Sequence, residues 1–135
     1  MDKAQREKDL RIIAWYIGHH IDAADWYSDY ENIKTFDYTL TRDSEFDDIE
    51  AYILWTDTGE FIRGLRSGVR VASRGRGLGV KMYRRMAALA RRRGKKYKTY
   101  CALTNLPSLN AHMKSGMKIE KVVEYEGLTA IHLTT

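Results

Sequence analysis

The sequence predicts an α+β fold built on a mixed, mostly antiparallel sheet. Three observations carry that prediction. Helical periodicity appears near the start of the chain and in two later segments, while stretches of strand length, rich in Tyr, Thr, Ile and Phe, fill the rest. The turn signals Asp57-Thr58-Gly59 and Glu126-Gly127 join neighbouring strands as hairpins, which makes those pairs antiparallel. An apolar content of 44% with nine tyrosines and a single proline, Pro107, fits a globular chain.

Each element has its own signal. Leu10, Ile13, Ala14, Ile17 and Ile21 recur at helical spacing, so residues 3–24 read as one helix or a broken pair. The apolar run 12–17 also suits a buried strand, and periodicity alone does not decide between them. Residues 34–41, 49–56 and 60–69 read as three antiparallel strands. A glycine loop follows, then a helix to about residue 93 with Leu78, Met82, Met86 and Leu89 on one face and Gly94 as its stop. Residues 97–103 form a strand, 106–115 a short helix ended by Gly116, and 118–124 and 128–134 two last strands.

The 135 residues suit one domain with a single core, spanning 1–135. No apolar run approaches the roughly 20 residues that cross a bilayer, and the N-terminus lacks the apolar core of a secretory signal. Cys101 is alone, which excludes an internal disulfide and a cysteine metal cluster. His19 and His20 are adjacent and point apart on a helix, so no metal site is expected. These features favour a cytoplasmic location without a membrane partner. Charge is divided unevenly. Residues 1–60 hold 6 Lys/Arg against 15 Asp/Glu, and residues 61–135 hold 17 against 3. The basic half suits nucleic acid or a small polyanion, and the count does not choose between them.

The segment Arg74-Gly75-Arg76-Gly77-Leu78-Gly79-Val80 joins a strand to a helix. It lacks the Lys-Ser/Thr ending of a nucleoside-triphosphate loop. Its Gly75-x-Gly77-x-Gly79 spacing is not the dinucleotide fingerprint either. What glycines do here is bring bare N–H groups to a charged ligand at the positive end of a helix. A Cβ at 77 or 79 would hold phosphate oxygens away. The bland alternative is a glycine-rich turn flanked by arginines for solubility.

A second constellation follows: Asn105-Leu-Pro-Ser108-Leu-Asn-Ala-His112-Met-Lys-Ser-Gly116-Met117. Together, Arg74-x-x-Gly77-x-Gly79 and this segment resemble the cofactor and catalytic segments of the GNAT superfamily of CoA-dependent N-acyltransferases. The resemblance covers residues 60–134. The first 60 residues align poorly, and the usual N-terminal strand is not evident. The resemblance implies a GNAT-like sheet with a central splay, flanked by about three to four helices. Residues 60–135 would form the acyl-CoA-binding core and 1–59 the acceptor-side helices and strands. Val69 and Val71 would pair with the pantetheine arm of acetyl-CoA. Residues 75–80 would cradle the pyrophosphate, with Arg74 and Arg76 beside them. Asn105 and Ser108 would contact the cofactor, and both also suit helix capping. His112 falls where the family places a tyrosine that protonates the departing thiolate. Histidine suits that role near neutral pH, and equally suits packing on the short helix.

Amine acetylation needs a neutral nitrogen, so a base must take a proton. Glu60 is the first candidate and Glu50 the second. The expected activity is acetyl transfer from acetyl-CoA to an amine by direct attack in a ternary complex. The acidic first half suits a cationic acceptor, small molecule or protein, and a homodimer could complete the site. The competing expectations are a non-catalytic module that binds nucleic acid or protein through the basic half, and a GNAT-like modifier of nucleic-acid bases.

Overall fold

The computed structural model describes residues 2–43, 45 and 47–135. Helix α1 runs Lys3–His20, opened by Asp2, whose carboxylate accepts from the Ala4 N–H at 3.0 Å. Leu10, Ile13, Ala14 and Ile17 form its buried stripe, so the run 12–17 is helical. The helix stops short of residue 24 because the next acids bond their own backbone. Asp22 accepts from Ala24 N–H and Asp25 from Tyr27 N–H, which favours turns over helix. A 3-10 turn, Trp26–Ser28, and one turn of helix α2, Tyr30–Ile33, follow. They push the first strand to a later start than the expected residue 34.

The strands are β1 Asp37–Arg42, β2 Ile49–Asp57, β3 Ile62–Val69, β4 Tyr97–Ala102, β5 Lys118–Tyr125 and β6 Leu128–Thr134. Helix α3, Leu78–Arg92, precedes β4, and α4, Leu106–Lys114, follows it. The six strands form one sheet in the order β1-β2-β3-β4-β6-β5. Every pairing is antiparallel except β3 with β4. No strand precedes α1 among the described residues.

The parallel β3–β4 ladder holds at Ile62↔Tyr97 and Arg63↔Lys98, and then the strands part. Side chains explain the splay. The Tyr97 phenol lies across Gly64, where an added Cβ would stand 2.1 Å from its oxygen. Thr99 Oγ1 donates to the Gly64 carbonyl at 3.2 Å, taking an acceptor that strand pairing would have used.

Alternation along β2 separates two cores on opposite faces of the sheet. Ala51, Ile53 and Trp55 join Met82, Met86 and Ala90 of α3. Tyr52 and Leu54, with Ile49 from beyond a register shift against β1, join Leu10, Ile13 and Ile17 of α1. The splay between β3 and β4 opens a passage from one face to the other.

Candidate active site

The chain leaves β3 through a 3-10 turn, Val71–Ser73, and enters α3 at Gly77. Gly75 (φ 83°) and Gly77 (φ 74°) take left-handed conformations that side chains rarely adopt. An ideal Cβ at either would meet nothing within 4 Å, so the loop leaves open space above its amides. Gly77 caps α3 without a side chain, which leaves the helix's first N–H groups for a ligand. This loop walls a groove of about 360 Å³ on the α3 face.

A second cavity of about 450 Å³ lies on the α1 side of the splay. Tyr52, Ser67, Gly68, Val69, Asn105 and Ser108 line both spaces, so the groove and the cavity meet there. Tyr52 crosses to that junction because Gly68 has no side chain: a Cβ there would stand 2.7 Å from the Tyr52 oxygen. Burial raises the Tyr52 phenol above its ordinary range.

The groups at the junction form a packed set. His112 is buried, and its Nδ1 lies 2.6 Å from the Ser108 carbonyl, which accepts from it. Burial lowers its pKa more than this hydrogen bond raises it, so the ring is neutral at pH 7 with its proton on Nδ1. Nε2 is then an acceptor. The Tyr83 ring stacks on His112 with centroids 3.8 Å apart. The Tyr83 and Ser67 hydroxyls share a hydrogen bond at 3.0 Å. Burial raises the Tyr83 phenol, so it keeps its proton. Burial likewise raises the Cys101 thiol, leaving it a poor nucleophile.

Most of the residues singled out in the sequence converge here. Gly75, Gly77, Leu78, Gly79 and Val80 line the groove, and Val69, Arg74, Asn105 and Ser108 line both spaces. Asn105 also caps α4, accepting from Ser108 N–H at 3.4 Å. Glu60 and Val71 do not reach either space, and Arg76 and His112 stand in contacts of their own. Glu60 is exposed in the β2–β3 turn, at the end of β3 opposite the glycine loop, and lines neither space. At about 3.3 Å per residue, β3 puts more than 20 Å between it and the loop. Val71 is exposed in the 3-10 turn, outside both spaces, so it offers no strand edge. Arg76, of the glycine loop, pairs with Glu50 and lines neither space. His112 lines the cavity with its Nδ1–H given to the Ser108 carbonyl and its ring stacked on Tyr83.

Tyr83, Ser67, Tyr52 and Tyr97 carry no local motif and were missed. Gly64 and Gly68 were the available signal, since a glycine inside a strand marks close approach by another group. The excess of acid in the first half lies mostly outside the cavity. Asp25 and Glu50 are its two lining carboxylates, and both are paired, Asp25 with Arg66 at 3.0 Å and Glu50 with Arg76 at 2.6 Å. The basic run is also partly committed: Arg84 donates to the Lys114 carbonyl, Arg85 to the Leu40 carbonyl, and Arg93 and Lys95 pair with Asp57.

No family model matches the chain, and no curated relative matches it by sequence. Solved structures do. One is named as a GNAT-family acetyltransferase from Bordetella pertussis, with TM-score 0.73 and 14% identity, covering 96% of this chain and 89% of that one. Another, yncA from Salmonella typhimurium, is named as an acetyltransferase with its cofactor acetyl-CoA. It has TM-score 0.73 and 19% identity, covering 100% of this chain and 90% of that one. A third is an aminoglycoside acetyltransferase with coenzyme A and kanamycin, with TM-score 0.71 and 13% identity, covering 96% and 90%. Six strands in this order, with the splay and the glycine loop at the start of α3, give the chain the GNAT acetyltransferase fold.

Proposed function

We propose that this chain transfers an acetyl group from acetyl-CoA to an amine, by direct attack, where the groove and the cavity meet. The observation that carries the reading is the continuity of the two spaces through the splay. A ligand can lie along the glycine loop on one face and present its reactive end to a second ligand from the other. The residues present fit acetyl-CoA. The Gly75 and Gly77 amides and the start of α3 would hold the pyrophosphate. Val69 and Gly68 would flank the pantetheine arm as it enters the splay. Bound there, acetyl-CoA supplies an activated thioester.

The protein's own groups then divide the work. Backbone N–H groups at the splay would polarise the thioester carbonyl. The Tyr83 hydroxyl, at the groove wall beside Ser67, holds the proton that a departing thiolate needs. His112 fixes the Tyr83 ring by stacking, and its Nδ1 proton is engaged by the Ser108 carbonyl. The acceptor amine enters from the α1 side, past Tyr16 and Tyr52. Cys101, buried and protonated, has no part in a covalent route.

Calorimetric titration with acetyl-CoA tests the donor half, and release of free thiol on adding amines tests the transfer. The amine set should include kanamycin, spermidine, a free-amino peptide and a monoamine. Failure to bind acetyl-CoA at micromolar concentration would sink the proposal.

A further inference from the structure

Glu50 lies near the start of β2, 9% exposed, in the wall of the acceptor cavity. Its two oxygens are used unequally. Oε1 accepts from Arg76 Nη2 at 2.6 Å and from Ser73 Oγ at 3.3 Å, and Arg70 Nη2 stands 3.6 Å away. Oε2 has no hydrogen bond among the described residues, and it keeps some solvent access. Arg76 belongs to the glycine loop, yet its side chain is 57% exposed and lines neither space. This ion pair therefore joins a cation of the donor loop to an anion of the acceptor cavity.

We infer that Arg76 and Glu50 form a charge-exchange latch: phosphate in the glycine loop draws Arg76 off Glu50, and the freed carboxylate receives the acceptor's ammonium. The inference rests on the acetyl-CoA reading of the groove. A pyrophosphate at the start of α3 offers Arg76 charged oxygens in the geometry a guanidinium matches best. The flanking glycines, Gly75 and Gly77, leave the loop backbone around Arg76 unencumbered. Glu50 is not stranded when Arg76 leaves, because Ser73 and Arg70 stay beside it.

The local charge balance then favours a cation. Arg70 is held by Asp43 and Asp48, each at 3.1 Å. With Arg76 in place, two guanidinium groups face the three carboxylates Asp43, Asp48 and Glu50. With Arg76 gone, one faces three. Of the other charged groups in the cavity wall, Arg66 and Asp25 cancel as a pair, and Arg74, which donates to the Val69 carbonyl, adds one cation, so two guanidinium groups still face three carboxylates once Arg76 has left. Donor binding thus prepares the acceptor cavity, and the order of addition is donor first.

Calorimetry at low ionic strength with acetyl-CoA alone tests the latch without knowledge of the acceptor. S-acetylpantetheine, which lacks the phosphates, is the control probe. Glu50→Gln should bind acetyl-CoA at least about 5-fold more tightly, the scale of a coupling between two sites. The gain should vanish in the Arg76→Ala background and should not appear with S-acetylpantetheine. Unchanged or weaker acetyl-CoA binding by a Glu50→Gln protein that melts like the wild type would overturn the latch alone. So would a gain that persists without Arg76. If Glu50→Gln does not fold, NMR of the Arg76 guanidinium in the wild type decides. Its signal should shift with acetyl-CoA and not with S-acetylpantetheine, and a signal that ignores both overturns the latch. A wild type that binds neither probe overturns the donor reading and the latch together.

Discussion

The two faces of this sheet solve different problems with different materials. The α3 face is built of backbone: the loop amides, two left-handed glycines and an uncapped helix start make the groove. The α1 face lines its cavity with side chains drawn from α1, β2, β3, β4 and α4. Its charges are neutralised by pairs far apart in sequence, Asp25 with Arg66 across 41 residues and Glu50 with Arg76 across 26. A backbone site can be written in one short segment. A side-chain site needs the whole fold before it exists. The difference also divides the expected consequences of mutation.

The largest effect should come from the backbone site. Gly77→Asp places a carboxylate where pyrophosphate would lie, at φ 74°. Acetyl-CoA binding should fall beyond detection in calorimetry, a loss of at least about 100-fold. Gly77→Ala separates charge from strain. It carries the same left-handed penalty, about 1–3 kcal/mol of stability, but adds no charge. It should bind within about 10-fold of the wild type, and equal losses in the two variants would mean that the loop's shape matters and its charge does not.

A comparable change on the α1 face should affect stability and leave the groove alone. Asp9 is buried and accepts from Gln5, Tyr38 and Arg42, the last at 2.5 Å. Burial raises its carboxyl pKa, but Arg42, Tyr38 and Gln5 together outweigh that and leave it below its ordinary value. Asp9→Ala leaves the partly exposed Arg42 with Asp47, at 3.9 Å, as its remaining ion-pair partner among the described residues, and it removes the acceptor of the Tyr38 hydroxyl. It should lower unfolding free energy by about 1–3 kcal/mol. Acetyl-CoA affinity of the folded fraction should not change. The sign of the pH effect follows from the lowered value. The stabilisation is complete above the unfolded carboxyl range, about pH 4, and is lost as pH falls through the folded value. Denaturation by urea at pH 7 and pH 3 should therefore show a smaller difference for the variant than for the wild type.

What the sequence revealed follows the same division. Strand and helix order was legible because each element carries its own periodicity, and Gly94, Gly116 and the two hairpin signals mark ends locally. The glycine loop and the Asn105 cap were legible for the same reason. The start of the sheet was not, because Asp22 and Asp25 bond their own backbone and break a helix whose apolar spacing runs on. Glu60 was misplaced because a strand's end in sequence does not say which end of the sheet it occupies. Tyr83 reads as one more residue of a basic helix until α4 brings His112 against it. The spacing marks His112, but not that the Ser108 carbonyl engages its Nδ1 proton, which only the folded turn of α4 brings about.

Tyr83→Phe sharpens the comparison at the junction. It keeps the stack on His112 and removes only the hydroxyl that meets Ser67. Turnover with the best amine should fall by about 100-fold, the lower end of the range for acid–base groups. Acetyl-CoA affinity should stay within about 3-fold. Turnover near that of the wild type would return the proton-donor role to His112 or to solvent.

The smallest effect expected is the most specific to His112. Burial holds its pKa below the ordinary value of about 6.5, and the Ser108 carbonyl only partly opposes this. Between the folded and unfolded values the unfolded chain binds more protons, so stability rises with pH through that window. The neutral ring's contribution is therefore complete above about pH 7 and declines as the solution is acidified toward the folded value. His112→Phe keeps an aromatic ring against Tyr83 and removes the titrating group. Its melting temperature should change less between pH 7.5 and pH 5.5 than that of the wild type. Turnover at pH 7.5 should fall less than about 10-fold, because the ring's task there is to hold Tyr83. A loss as large as that of Tyr83→Phe would show that the imidazole nitrogen itself handles a proton in the reaction. A melting temperature equally sensitive to pH in both proteins would mean that the ring takes up its proton in the folded state as readily as in water.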